Sequence, residues 1–557
     1  MLAFGVTSCS PSASRFLARA SRLASLLGCA VVAFRALPVS SVHLGSYAIP
    51  PRALWLPFCL FLFAHAFLSL LVSWGVGGWV GCWGKKVGVP GMGVAGRRAV
   101  VLGGGLAGTL AVAALEGVVD EVTVVERDRL PEGAVDRKGV PQARHAHLLM
   151  SGGAKAIESL VPGAGEELKE AGAHRHELPG HLVSMSAQGW LTRFEGQQYL
   201  VSCSRNLVDW VVRRRVLASP KVAVLENSDV DGLVGGKGKV TGVKIRDRET
   251  GESRELGADL VVDATGRGSR IQHWLGELGI PAAKEEVVDS GLSYATCIYR
   301  APEAAAGDCP VINVQADVRE KKPGQTATIV PLEGGRWLVT LSGTRGGEPP
   351  ADAEGFVRFA REAVRHPIVG ELIDKAEPLT DVVTAHGLVN RRRYFEKSRQ
   401  WPAGLVVLGD AVATYNPVYG HGMSVAALSA CAIRDEVAKN GLGPRTAHRI
   451  QRAIAREVEP AWTMASGEDC LYPNVMGAPP TRLTLWTRRY VDRLTKTAIS
   501  RPEVAAALID AMTLSAPMTS RLLAPKIVLA TLRGPSGPPA VEPPFTDRER
   551  AALSIDS

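Results

Sequence analysis

The sequence predicts an α/β chain, on three observations. A strand, a glycine loop, a helix and a second strand follow one another between residues 98 and 126; buried strand patterns recur far downstream, near 260 and 405; and beyond about residue 440 the apolar pattern turns helical. The length of 557 residues excludes a single small binding module. With 46% apolar and 21% charged residues, disordered, collagenous and coiled-coil chains are excluded as well. The formal charge of +9 suggests nucleic acid or an anionic membrane only until its placement is considered.

Residues 1–91 hold seven basic residues and no Asp or Glu, and removing them leaves 57 basic against 55 acidic residues. The rest of the chain therefore shows no basic excess that calls for nucleic acid. Within this leader no charge occurs from Ala53 to Gly84, and LWLPFCLFLFAHAFLSLLVSW exceeds the ~20 residues that cross a bilayer. Pro57 and His65 interrupt the run. Residues 1–91 are expected to be a non-native or dispensable extension, a transmembrane segment or a targeting peptide, with membrane contact only through residues 53–84. The remaining cysteines (Cys203, Cys297, Cys309, Cys431, Cys470) show no C-x-x-C or zinc spacing, which fits a reduced, cytoplasmic compartment. His145 with His147 and His174 with His176 form His-x-His pairs lacking a completing acid or Cys, so local hydrogen bonding or solvation is expected of them and no metal.

The first structured unit begins at Arg98. The run to Leu102 is strand-like, GGGLAG follows at 103–108, TLAVAALEG is helical, and EVTVVE ends on Glu126. This is G-x-G-x-x-G in its Rossmann context: Gly103 for the tight turn, Gly105 for close approach of a pyrophosphate, Gly108 for helix packing, and Glu126 for a ribose. An adenine dinucleotide is expected here. The next strands come late, as KVAVLEN, KVTGVKIRD and ADLVVDATGRGSR, and then GLVVLGDAVATYNPVYGHGMSVAAL with Gly409-Asp410 at the strand end.

This order resembles the FAD-dependent monooxygenases related to aromatic hydroxylases, whose flavin domain is assembled from separated segments around an inserted antiparallel substrate domain. The resemblance implies that Gly103, Gly105, Gly108 and Glu126 hold the ADP part of FAD. It further implies that Gly409-Asp410 meets the ribityl or phosphate part, and that the turn carrying Pro417, Gly420, Gly422 and Met423 lies along the isoalloxazine ring. Arg137 and Arg205 match positions of basic flavin contacts; a surface salt bridge is the even alternative for Arg205. Thr265-Gly266 stands where many relatives have Asp-Gly, which leaves the docking of NADPH or NADH open.

The domain boundaries expected are 92–180, 202–290 and 396–440 for the FAD-binding domain, 181–201 and 291–395 for the substrate domain, and 441–557 for a C-terminal helical region and tail. RKGVPQARHAHLL, ADLVVDATGRGSR, LEGGRWLVTLSGTRG and NPVYGHGMS, in that order, are similar to the polyene epoxidases of polyether ionophore biosynthesis, of the monensin and lasalocid type. That resemblance implies oxygenation of carbon-carbon double bonds in an apolar polyketide, free or tethered to a carrier protein, with FAD, NAD(P)H and dioxygen. No side-chain acid, base or nucleophile is expected, since the cofactor carries the chemistry.

In the inserted domain, 181–201 and 293–344 read as antiparallel strands, with Gly334-Gly335 a two-residue hairpin. Trp190, Phe194, Tyr294, Tyr299 and Trp337 are the expected pocket wall, each weighed against ordinary core packing. Arg391 to Arg393 suggest a solvated turn or a contact for an acidic carrier. Ser500 and Glu503 have capping-box spacing, and a Pro-rich stretch from Gly534 is expected to end the ordered part. Competing readings are an aromatic hydroxylase, a geranylgeranyl-type isoprenoid reductase and a non-enzymatic nucleotide-sensing membrane protein. A flavin halogenase would carry W-x-W-x-I-P, and no W-x-W occurs.

Overall fold

Strand Arg98–Leu102 is buried at four of its five residues because it runs through the middle of a five-stranded parallel sheet. The computed structural model describes residues 96–555 except Asp308, together with a short antiparallel ladder of Val42–Leu44 with Tyr47–Ile49. Apart from that ladder, the leader and its apolar run at 53–84 lie outside the described residues. No helix among the described residues is long and apolar enough to cross a membrane.

The parallel sheet runs Val222–Leu225, Glu121–Val125, Arg98–Leu102, Leu260–Asp263, Leu405–Val407. In chain order this is 3-2-1-4-5, so the direction of winding reverses between Arg98–Leu102 and Leu260–Asp263. The crevice beyond the carboxyl ends of those two strands is where such sheets take their ligands. Helix Leu106–Leu115 packs against this sheet and is buried along nearly its whole length, which is why its sequence is apolar on every side. A separate meander, Ser228–Gly236, Lys239–Asp247 and Ser253–Gly257, fills the chain between the third and fourth strands.

The inserted domain is a larger mixed sheet whose centre is Glu285–Arg300, Arg336–Gly343, Gln325–Leu332, Val311–Val314 and Leu182–Ser186. Helices Ala353–Glu362 and Ile368–Asp374 contribute Phe356, Val369 and Leu372 to the core on one of its faces. Strand Gln198–Ser202 does not join this sheet; it pairs with Leu149–Met150 and His174–Leu178 in a small sheet of its own.

Four expectations are corrected. Leu332 pairs with Arg336, so the hairpin loop is three residues long, with Gly334 and Gly335 at φ +73° and +64° after Glu333. Glu333 is set apart because its carboxylate accepts the Ser204 N–H in another segment. Arg391–Arg393 end strand Val383–Arg393 rather than a solvated turn; Arg392 is sealed against Glu459 and Glu396, and Arg393 against Glu285. Ser500 caps nothing: helix Pro502–Met512 starts after Arg501, and the Ser500 hydroxyl instead accepts the Ser536 N–H. The Pro-rich stretch is not the end of order either. Helix Asp547–Leu553 follows it with a full Thr546/Glu549 capping box, returns Phe545 and Leu553 to the large sheet's core, and binds Arg193 through Glu549 at 2.6 Å. Long-range packing decides these four, and local spacing cannot register it.

A cleft at the switch point of the parallel sheet

The glycine loop owes its shape to contacts that leave no room for side chains. A β-carbon on Gly108 would stand 1.8 Å from the Gly103 carbonyl oxygen, and one on Gly103, at φ +93°, would stand 2.8 Å from that of Ala264. Gly105 differs: a β-carbon there meets nothing within 4 Å. It is the N-cap of helix Leu106–Leu115, so the open space lies at a helix N-terminus whose first N–H groups have no partner within the helix. This is a cradle for a phosphate.

Glu126 and Arg137 close the loop on one side. The Gly104 N–H donates to Glu126 Oε2 at 2.7 Å and the Asp128 N–H to Oε1 at 2.9 Å. Arg137 pairs with Glu126 Oε2 at 2.9 Å, with both side chains about 5% exposed, and also donates to the Gly104 carbonyl. Arg137 Nε is buried with no partner. A cavity of about 290 Å³ opens beside them, lined by Arg127, Arg129, Arg137, Lys138 and Arg248 together with Asp128 and Asp136.

The other two segments reach the same place. Leu408 N–H donates to the Asp263 carbonyl, and a side chain on Gly409 would meet Ala107 at 2.9 Å, so the Gly409-Asp410 turn rests on the first turn of the glycine-loop helix. Thr265 and Ser269 hydroxyls both donate to the sealed Asp263 at 2.6 Å, fixing the Thr265-Gly266 turn. Asp410 has no hydrogen-bond partner among the described residues; burial pushes its carboxyl up, against the pull of Arg205, Arg267 and Arg391. Arg205 is mostly buried and bonds Asp209 at 2.8 Å on its own helix, so the salt bridge expected of it exists but faces inward, toward Asp410 and His147.

Asn416, Pro417 and Gly420 make the turn into helix Gly422–Asn440. Gly420 approaches Met150 and Leu148, Met423 is buried, and Gly422 is open on its β-carbon side. The turn is held by a residue outside every sequence motif. Asp469, at the end of helix Thr446–Asp469, is 2% exposed and accepts from Ser290 at 3.0 Å, Asn390 at 2.7 Å, Asn416 and Tyr419. The Asn390 side-chain Oδ1 in turn accepts the Asn416 N–H at 2.7 Å. Burial pushes the Asp469 carboxyl up. A lone Asp in a helical region carries no local signal, so only the fold reveals this hub.

Strand alternation sorts the five expected wall residues. Tyr299 and Trp337 are register partners on the face covered by the helices, where Tyr299 stacks on Phe356; Trp190 lies in the same core against His366. Phe194 packs on the C-terminal helices. Trp190, Tyr299 and Trp337 are thus core and not wall, and Phe194, in no strand, packs half-buried away from them. Tyr294 alone lies near the turn, beside the Val418 N–H, in the field of Asp469 and 5.9 Å from the His145 ring. The face it shares carries two rows in register. One is polar: Thr296, Thr340, Thr328, Asn313 and Ser184. The other is apolar: Ile298, Leu338 and Val330, continued by Val311 and Leu182.

All four His-x-His imidazoles bond to protein atoms. His145 Nδ1 lies 2.8 Å from Thr296 Oγ1 and His147 Nδ1 2.9 Å from the His145 carbonyl; His174 bonds the Leu332 carbonyl, and His176 the Ser202 hydroxyl. Burial drives His147 and His176 down to about 3.

FAD fits these residues: an open cradle at Gly105, an orphaned Arg137 Nε, an unpartnered Asp410 carboxylate, and the buried, unpartnered Asn416 Oδ1 and Ser424 Oγ at the second helix N-terminus. Residues 97–453 match the FAD binding domain family. Protein Rv3254 of Mycobacterium tuberculosis (strain H37Rv) is 30% identical over 374 residues, 65% of this chain and 77% of that protein. Among solved structures, a flavoprotein/dehydrogenase from Cytophaga hutchinsonii superposes with TM-score 0.54 at 15% identity, covering 78% of this chain and 96% of that one. The flavin-dependent halogenase CmlS superposes with TM-score 0.51 at 16% identity over 83% and 77%. At such identities the likeness is one of fold. With a family match spanning the glycine loop, the Thr265 turn and the Gly409-Asp410 turn, the chain belongs to the FAD binding domain family.

Proposed function

We propose that the protein is an FAD-dependent monooxygenase that epoxidises carbon-carbon double bonds of an apolar polyene, a polyketide, with NADPH or NADH and dioxygen. The supporting observation is the apolar row of the large sheet. Ile298, Leu338, Val330, Val311 and Leu182 stand side by side on five adjacent strands, a track of about 19 Å at ~4.8 Å per strand. Ala146, Leu148 and Met150 pack over this row, so an elongated chain, which it suits better than a single ring, would enter by displacing them. Leu148 and Met150 lie between this layer and Gly420, so the row is stacked over the turn assigned to the isoalloxazine.

Bound FAD supplies the oxygen activation and the electron transfer. The chain's own residues do the rest. The Gly105 cradle and the Glu126–Arg137 pair would seat the dinucleotide, and Asp410 would meet its ribityl or phosphate part. Asp469 holds the Asn416–Gly420 turn in place, and the apolar layer keeps water from the reacting alkene. Orientation of the alkene, not side-chain acid or base chemistry, sets the product.

The test uses the full chain carrying FAD. NADPH oxidation is followed with a linear polyene and with a phenol under ¹⁸O-labelled dioxygen. One labelled oxygen in the polyene supports the reading. Label in the phenol alone makes the protein an aromatic hydroxylase, a gain of two hydrogens makes it a reductase, and absence of FAD from the folded chain removes the whole reading.

A further inference from the structure

Residues 471–540 carry nine basic and three acidic residues, a net charge of +6, whereas residues 92–557 as a whole carry +2; the remainder of that stretch is therefore net −4. The excess is also free. Arg488, Arg501 and Arg521 pair with Glu468 and Asp492, Glu503, and Asp510, which uses all the local carboxylates. Among the described residues Arg482, Arg489, Lys496, Lys526 and Arg533 have no carboxylate partner.

The same two helices expose large apolar side chains. On Arg482–Ala498, Leu483 is 62%, Leu485 45% and Trp486 66% exposed; on Pro525–Arg533, Leu529 is 47% and Leu532 42% exposed. The helices share one small core through Leu494 and Ile527, and Arg493 bonds the Thr531 carbonyl at 2.8 Å, so both present their outer faces from one platform. Arg482, Trp486, Arg489 and Arg493 recur at i, i+4, i+7 and i+11, and the Arg489 guanidinium lies 5.3 Å from the Trp486 ring.

We infer that this platform docks on an anionic lipid surface. Leucine and tryptophan standing out from convex helices, interleaved with unpaired arginine and lysine, are what settles at the boundary of headgroups and acyl chains. An acidic protein partner would be matched by the cations alone and would leave Trp486 and the leucines unexplained. The net negative charge of the rest of residues 92–557 favours approach of an anionic surface by this basic face. The inference is independent of which alkene, if any, is oxidised. It also differs from membrane contact through residues 53–84, because it needs no spanning segment.

The test is co-sedimentation of the FAD-loaded full chain with vesicles of phosphatidylcholine alone or with phosphatidylglycerol added, at two salt concentrations. Wild type should bind the anionic vesicles, more weakly at high salt. R482Q/R489Q should lower its partition coefficient by about thirtyfold, from the ~1 kcal/mol that each cation near such a surface contributes. L483S/W486S should lower binding at both salt concentrations. All four positions are exposed or half-exposed, and unchanged FAD content and circular dichroism certify the folds. Any contribution of residues 1–91 is common to all variants. Wild-type binding that neither double variant reduces, or retention by an acidic carrier protein without retention by anionic vesicles, overturns the inference.

Discussion

Replacing Asp469 by alanine should unfasten the turn at Asn416–Gly420 while leaving the glycine loop intact. Four side chains donate to this carboxylate. In the variant the Ser290 hydroxyl still accepts from the Asn416 amide 3.2 Å away but has lost the acceptor of its own proton, whereas the half-buried Tyr419 hydroxyl can reach water. Ser290, Asn390 and Asn416 cannot: they are 0%, 0% and 1% exposed, and each is left with a hydrogen lacking its acceptor. At ~1–3 kcal/mol for each unsatisfied buried donor, the turn is disfavoured by roughly 3–9 kcal/mol until it moves. A bias of about 3 kcal/mol is roughly a hundredfold in affinity for any ligand that needs the turn in place. Flavin fluorescence titration should therefore show FAD binding one to two orders of magnitude weaker, with Asp469→Asn, which retains one acceptor oxygen, in between. Wild-type FAD affinity and an unchanged melting temperature in Asp469→Ala would refute the assignment of Asp469 as the positioning residue of this turn.

The pH dependence of the same residue has a definite sign. Burial raises the folded-state value of the Asp469 carboxyl, so the folded chain holds that proton more tightly than the unfolded one, and stability falls as pH rises from about 4, the ordinary carboxylate value, through the raised value. Melts compared across that range should show wild type losing stability relative to Asp469→Asn; parallel curves would contradict it. Gly105→Ala should leave the apoprotein's melting temperature nearly unchanged yet abolish FAD retention, since its β-carbon meets no protein atom and enters the space expected to take the pyrophosphate, whereas Gly108→Ala should damage both because of the 1.8 Å approach to the Gly103 carbonyl. Asp410→Asn should raise the melting temperature of the apoprotein and weaken FAD binding, because it removes an unpartnered, desolvated carboxylate that the cofactor is expected to engage; a fall in both would argue for a purely structural aspartate. Trp337→Ala should cost about 3–5 kcal/mol of stability by cavity formation while the refolded fraction keeps its FAD affinity, since Trp337 lies on the helix-covered face of the sheet.

The sequence by itself determined the parts whose chemistry is local. GGGLAG between a strand and a helix admits little besides a phosphate-binding turn, and Glu126 follows at the spacing a second parallel strand requires. The separated strands at 260 and 405 announced a discontinuous sheet, and the structure inserts both on one side of Arg98–Leu102. Only the tertiary structure decided which side chains meet. Tyr294 and Tyr299 look alike along the chain, yet the pleat sends one toward the Asn416–Gly420 turn and the other into the core against Phe356. Arg391–Arg393 look like a solvated run until pairing with Glu285 and Glu459 shows two of them sealed. Asp469, about fifty residues beyond the turn that it holds, belongs to no motif, because a hydrogen-bond hub is defined by donors brought from three distant segments and not by its neighbours in sequence. Local backbone chemistry is written in adjacent residues; register, burial and charge pairing exist only once the chain has closed on itself.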